Sequence, residues 1–331
     1  MQIYREPIGT TTGLAGQPPA DVDAYTLDTG AGLATTVWTY GATVVEVRVP
    51  DRAGRAANVV LRLPDLDAYQ DRSRNASYLG ATLGRFGRCV AGARFQLDGR
   101  EYRLDRNHGR HHFHGGTNGF DRYVWKADAG RDGDSLALKL DLHSRDGDQG
   151  YPGDLSATAV YRVDREGRLT LEYRATTTAS TIVGLTSHAF WNLAGTGTIG
   201  GQRLALNAAR VLPTDDELIP LGAPVDVAGT SLDYTAPRPI REDRLDHCFA
   251  LDDPAWAAEL HDPGTGRAMR VVTDQPGLAV YSGDGLREPR TGLCLQSGAW
   301  PDAPNHPSYP AVRLDPGTEY RHHVRYEFTL L

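Results

Sequence analysis

Between residues 136 and 175 apolar side chains occupy every second position in three successive stretches. These are Leu136, Leu138, Leu140 and Leu142; then Leu155, Ala157, Ala159, Tyr161 and Val163; then Leu169, Leu171, Tyr173 and Ala175. In an extended chain successive side chains point to opposite faces, so a period of two buries one face of a sheet and does not fit a helix. Asp164-Arg165-Glu166-Gly167 reads as a hairpin loop, and the three stretches are expected to form an antiparallel meander with one face in the core. Further strands are expected at Val44–Val49, Phe95–Leu104, Gln202–Leu206, Ala268–Val272, Leu278–Tyr281 and His323–Leu331, with one short helix over Leu63–Arg72. Frequent glycine and proline punctuate these segments. The fold class this implies is all-β, a large antiparallel β-sandwich. The length of 331 residues would accommodate two domains, but no linker, repeat or shift of composition divides the chain, so a single domain over 1–331 is expected.

Composition narrows the partners. The 42 Asp and Glu outnumber the 35 Lys and Arg, and no basic block of the kind that follows a phosphate backbone occurs, so nucleic acid is not an expected partner. No apolar run approaches the ~20 residues of a membrane span, and no membrane partner is expected. The start, MQIYREPIGTTTG, lacks the basic and apolar regions of a secretion signal, and the expected address is cytoplasmic. Cys89, Cys248 and Cys294 are odd in number and widely spaced, which suits buried small hydrophobes better than a disulfide framework or a zinc knuckle.

Long loops rich in Gly, Pro, His and Asp span Arg106–Asp121, Ser187–Gly201 and Pro289–Pro310, and such loops on a rigid β scaffold commonly carry a site. The first holds His108, His111, His112 and His114 within seven positions. Those imidazoles could ligate a metal, but no HExxH motif or spaced carboxylate accompanies them, so no metal is expected; one histidine acting on a substrate is the better reading, with a solvated polar loop as the alternative. The second holds His188 among Ala189, Phe190 and Trp191, a setting that favours the neutral imidazole and, on pattern alone, suits a satisfied core residue more often than a catalytic one. Trp191 would suit a sugar platform or plain core packing. The third is a strand, Leu293-Cys294-Leu295-Gln296-Ser297-Gly298, running into Trp300-Pro301-Asp302-Ala303-Pro304-Asn305.

The order of these segments, with Gly41-Ala42-Thr43, Tyr78 to Arg85, Leu97 to Tyr102, His114-Gly115-Gly116, Asp146 to Gly153, Asn192 to Gly195, Leu212 to Asp215, Leu245-Asp246-His247, Gln275-Pro276-Gly277 and Pro316 to His322, resembles the aldose 1-epimerase, or galactose mutarotase, family over nearly the whole chain. The resemblance implies a large β-sandwich with an open sugar cleft, no cofactor, and a small-molecule sugar or sugar-like ring as partner. It implies acid/base isomerisation: a base takes the anomeric hydroxyl proton, an acid protonates the ring oxygen, and the opened chain recloses as the other anomer. It makes His188 the acid and has His114, Arg88 and Asp246 bind hydroxyls.

Four positions depart from the family pattern. The general-base glutamate is replaced by Gln296, whose amide cannot take a proton near neutral pH, so this chain is a divergent member. An Asn-Arg pair reads Gly87-Arg88, the Asn before the catalytic histidine is Ser187, and a Gln after the Gln-Pro-Gly turn is Ala279. A roomier, less polar cleft is expected, and with it weaker selection for hydroxyls. The expected function is an epimerase-like isomerase with histidine-based chemistry on an altered cyclic hemiacetal. The alternatives are a biosynthetic cyclase or isomerase on a non-hexose metabolite, an ordinary hexose mutarotase were Gln296 engineered, and a silent carbohydrate-binding protein.

Overall fold

The computed structural model describes residues 1–13, 17–251 and 256–331. Its strands assemble into three large antiparallel sheets of nine, six and five strands, with short two-stranded ribbons between them. The meander lies in the nine-stranded sheet as Ser135–Ser144, Leu155–Val163 and Arg168–Thr177, followed in spatial order by Tyr320–Leu330 and Arg267–Thr273. Register pairs Leu140 with Ala159 and Ala159 with Tyr173, so the alternating residues stand in rows on one face. That face is sealed: Leu138, Leu140, Leu155, Ala159, Val163 and Tyr173 have no exposed surface. The loop at 164–167 closes as expected, the Asp164 carboxylate accepting from the amides of Glu166 and Arg168 and from Arg168 Nε.

Two expected elements are shorter. The stretch Phe95–Leu104 is a hairpin, Arg94–Leu97 against Arg100–Arg103. Asp98 and Gly99 both take positive φ (52° and 77°), the conformation an Asp-Gly dipeptide offers to a two-residue turn. The helix expected over Leu63–Arg72 is confined to Leu66–Gln70, because Pro64 turns the residue before it away from helix and the Asp65 side chain caps the Ala68 amide.

One apolar cluster draws on all three large sheets, with Val37 and Val47 from the five-stranded sheet, Leu138 and Tyr173 from the nine-stranded sheet, and Leu278 and Leu295 from the six-stranded sheet. The six-stranded sheet positions the site. Phe249, Leu278, Val280, Leu293 and Leu295 point from one of its faces into this core. By the period of two, the residues between them belong to the opposite face.

Candidate active site

On that opposite face register sets a grid. Asp246 pairs with Tyr281 and Tyr281 with Cys294; one step along, Cys248 pairs with Ala279 and Ala279 with Gln296. All six side chains floor a cleft of about 270 Å³, walled by Tyr78, Arg88, His108, Phe113, His114, His188, Thr214 and Leu218. Of the residues singled out from sequence, His114, His188, Gln296, Arg88, Asp246 and Ala279 meet there.

His188 is held by backbone bonds in both directions, its amide to Ala81 O and its carbonyl from the Gly80 amide. His114 follows the short strand His112–Phe113, which pairs with Cys89–Val90. It sits in the left-handed region at φ 54°, a strained setting for a residue with a β-carbon. The turn is enforced behind it by Gly115, where a Cβ would lie 1.8 Å from Gly84 O. The imidazole centroids of His114 and His188 are 5.0 Å apart, and the Tyr78 ring stands edge-on to His114 at 5.0 Å.

Geometry fixes the tautomer of His114. Its Nδ1 lies 2.9 Å from the carbonyl of Gly87, which can only accept, so Nδ1 carries the proton and Nε2 keeps its lone pair. His188 Nδ1 faces Cys294 Sγ at 3.9 Å, and burial pushes that thiol up to about 12, so the contact joins a neutral thiol to a neutral ring. Neither Nε2 has a protein partner, and neither is sealed from solvent. Burial first, then the nearby Arg88 cation, pushes His188 down to about 3; burial, the neighbouring His188 and Arg88 push His114 well below its usual value. The cleft therefore offers two uncharged imidazoles, with the Nε2 lone pair of His114 free to accept.

Gln296 Nε2 donates to the same Gly87 carbonyl at 3.3 Å. Arg88 turns away from hydroxyl-binding geometry on two of its nitrogens: Nε donates to Ala299 O at 2.9 Å and Nη2 to Gln296 O at 2.6 Å. Asp246 stands at the rim, its carboxyl pushed up to about 6 by its desolvating walls and then by the like charge of Asp284.

Three expected site residues lie elsewhere. Trp191 is 1 % exposed and packs on Tyr326 and Phe328 at 4.6 and 5.8 Å, so it belongs to the core and is no sugar platform. Ser187 is buried in a two-residue ribbon against Thr82 and does not line the cleft. Gly87 adds no room, because a Cβ there would meet Thr186 Cγ2 at 2.5 Å; it contributes its carbonyl. Within the histidine loop only His108 and His114 line the cleft. His112 is a core residue, donating from Nδ1 to Asp105 O and bonded through Nε2 to the Tyr151 hydroxyl. The Nδ1 of His111 accepts the Gly92 amide.

Sequence reading missed Tyr78, Tyr281 and the convergence of all three cysteines on the cleft. Cys89, Cys248 and Cys294 are buried, as expected of small hydrophobes, yet each contributes to the lining. Tyr281 was within reach, since it lies two positions beyond Ala279 on an expected strand and so shares its face.

A layered antiparallel β fold with two neutral imidazoles meeting in an open cleft defines the galactose mutarotase-like class. Residues 23–327 match the family described as aldose 1-epimerase, and the chain belongs to that family. It is 35 % identical to a galactose mutarotase of Bos taurus over 321 residues, covering 90 % of this chain and 92 % of the relative. It is 34 % identical to an aldose 1-epimerase of Escherichia coli K12 over 331 residues, covering 92 % and 94 %. Among solved structures it resembles a galactose 1-epimerase from Lactobacillus acidophilus, with TM-score 0.88 at 26 % identity and 99 % of both chains covered. A GalM/aldose epimerase homologue from C. elegans gives TM-score 0.86 at 25 % identity, covering 92 % and 98 %.

Proposed function

We propose that this chain is an isomerase of a cyclic hemiacetal or hemiketal, acting as one domain, with His114 as the group that takes and returns the proton and His188 as hydrogen-bond donor to the ring oxygen, on a substrate other than a free hexose. The observation that carries this reading is the pair of uncharged imidazoles 5.0 Å apart in one cleft, His114 presenting the Nε2 lone pair; His188 takes the Nε2–H form in this reading. His114 Nε2 accepts the proton of the anomeric hydroxyl as the carbonyl forms and the ring C–O bond breaks. His188 Nε2–H donates a hydrogen bond to the departing ring oxygen and holds its developing charge. The imidazolium left on His114, made strongly acidic by burial, returns the proton to that oxygen. Reclosure on the other face of the carbonyl inverts the anomeric centre.

Gln296 supports the altered substrate. Its amide is a donor locked onto Gly87 O, where the resembled family has a base. Ala279 and Cys248 make the adjoining floor apolar, which suits a ring with fewer hydroxyls there than a hexose has.

The test follows anomer exchange of freshly dissolved α-D-glucose and α-D-galactose by polarimetry, beside the Escherichia coli relative. This chain is expected to be slower by about 10²–10⁴, the usual worth of a positioned base. A hexose rate equal to the relative's sinks the altered-substrate reading. Binding of sugars without any exchange, on hexoses or on the keto acid named below, would make the chain a silent carbohydrate-binding protein instead.

A further inference from the structure

Three buried arginines in this chain direct their guanidinium groups at backbone carbonyls. Arg85 uses all three nitrogens, Nε on the Ser144 hydroxyl and the other two on the carbonyls of Ser144, Arg145, Pro152 and Gly153. Arg267 also uses all three, on Val49, Leu193 and Arg55. Arg88 is the exception. It is 5 % exposed, bonds only through Nε and Nη2, and leaves Nη1 without a protein partner at the cleft wall.

No carboxylate among the described residues makes an ion pair with Arg88. Asp246, the carboxylate of the cleft lining, lies two strands from the strand of Gln296, about 10 Å at ordinary strand spacing. Gln296, whose backbone carbonyl Arg88 holds, is neutral, and so are His114 and His188. A buried cation without a counter-charge costs several kcal/mol unless a ligand supplies the charge.

Resting on the isomerase reading above, we propose that the substrate carries a carboxylate on the reacting carbon itself, as in the cyclic hemiketal of a 2-keto sugar acid, and that Arg88 Nη1 pairs with it. Position follows from the neighbours. Arg88 bonds the backbone of Gln296, Gln296 shares the Gly87 carbonyl with His114, and His114 is the group that faces the reacting hydroxyl. A carboxylate at the far end of the ring would not reach this corner.

The test is titration calorimetry on the full chain at low salt and about pH 7.5, with two matched pairs of probes. 2-Keto-D-gluconate and D-fructose share one carbon skeleton and configuration, and differ by a carboxylate on the anomeric carbon. D-glucuronate and D-glucose differ by a carboxylate at the opposite end. The first pair is expected to show about tenfold or more preference for the acid, the worth of a charge-assisted hydrogen bond, and the second pair none. Arg88→Met, checked for folding by circular dichroism, should abolish the preference. Should that variant not fold, Gln296→Glu serves, since its carboxylate competes for Nη1 and should likewise abolish the preference.

Equal binding within the first pair, no heat from 2-keto-D-gluconate at tens of millimolar, an equal gain in both pairs, or a preference that survives in the folded variants would each overturn the inference. The isomerase reading fails separately: His188→Gln and His114→Gln are expected to lose exchange while keeping the charge preference, and unchanged exchange in both refutes the histidine chemistry alone.

Discussion

Neutrality is the working state of the site's histidines. His188 is pushed down to about 3 and His114 well below its usual value, so neither changes charge near pH 6.5, where a free imidazole titrates. Asp246, pushed up to about 6, is a cleft carboxyl that burial brings into that range. The profile of kcat/KM between about pH 5 and 9 should therefore show a rise through about pH 6, as Asp246 ionises and can accept a hydroxyl hydrogen bond, and no inflexion from His114 or His188. Asp246→Asn should remove that rise. A rise that survives in the variant would mean that it belongs to another group. The residues legible from sequence were those with chemistry in the side chain: His114, His188, Asp246. What stayed hidden was the backbone's part, because a carbonyl such as that of Gly87 has no letter in the sequence.

At the scale of elements, the strand Leu293–Gly298 carries Gln296 on one face and Ser297 on the other. Ser297 Oγ donates to His322 Nε2 at 2.9 Å, and His322 Nδ1 donates to Leu185 O at 2.9 Å. This chain of bonds ties the floor of the cleft to Tyr320–Leu330 and to the segment leading into His188. Ser297→Ala leaves a buried imidazole nitrogen unpaired and should cost about 1–3 kcal/mol in urea unfolding; a loss below the error of the measurement would show the tie to be idle. Gly115→Ala is expected to cost more, at least about 2 kcal/mol, since φ 91° and the 1.8 Å approach to Gly84 O both oppose a Cβ. Period-two strands such as Leu155–Val163 were visible beforehand because one buried face writes itself into the sequence. The hairpin at Asp98-Gly99 was overlooked because the flanking residues continue the strand pattern and only the turn chemistry separates them.

For the molecule as a whole, stability rests on the cluster shared by the three large sheets. Leu138 is fully buried there, and Leu138→Ala should cost about 2–5 kcal/mol by thermal or urea melts. Burial also holds sealed imidazole rings neutral. His112 is pushed down to about 4, and His322 downward too, in both cases first by burial. In the unfolded chain these rings titrate near 6.5, so between that value and their folded values the unfolded state binds more protons. Their stabilisation is complete above pH 6.5 and is lost as pH falls, by about 1–2 kcal/mol for each sealed histidine at pH 5. Asp246 acts in the opposite sense, as a single group at the rim. Melts at about pH 5 and 8 should thus show the acid condition clearly weaker, and equal stability would mean that these rings can charge in place. The fold class was readable from one meander. The three-sheet arrangement was not, since assembling a sheet depends on pairings between residues as distant as Glu172 and His323.

The carbonyl of Gly87 also bears on how such a site changes over generations. It accepts from His114 and from Gln296 together, and Arg88 lies against the same strand. A glutamate at 296 would meet that carbonyl's negative end, lose the bond the amide makes there and turn its carboxylate into the cleft. One substitution thus separates a seated amide from a free carboxylate, and the Gly87 carbonyl is the latch that tells the two apart.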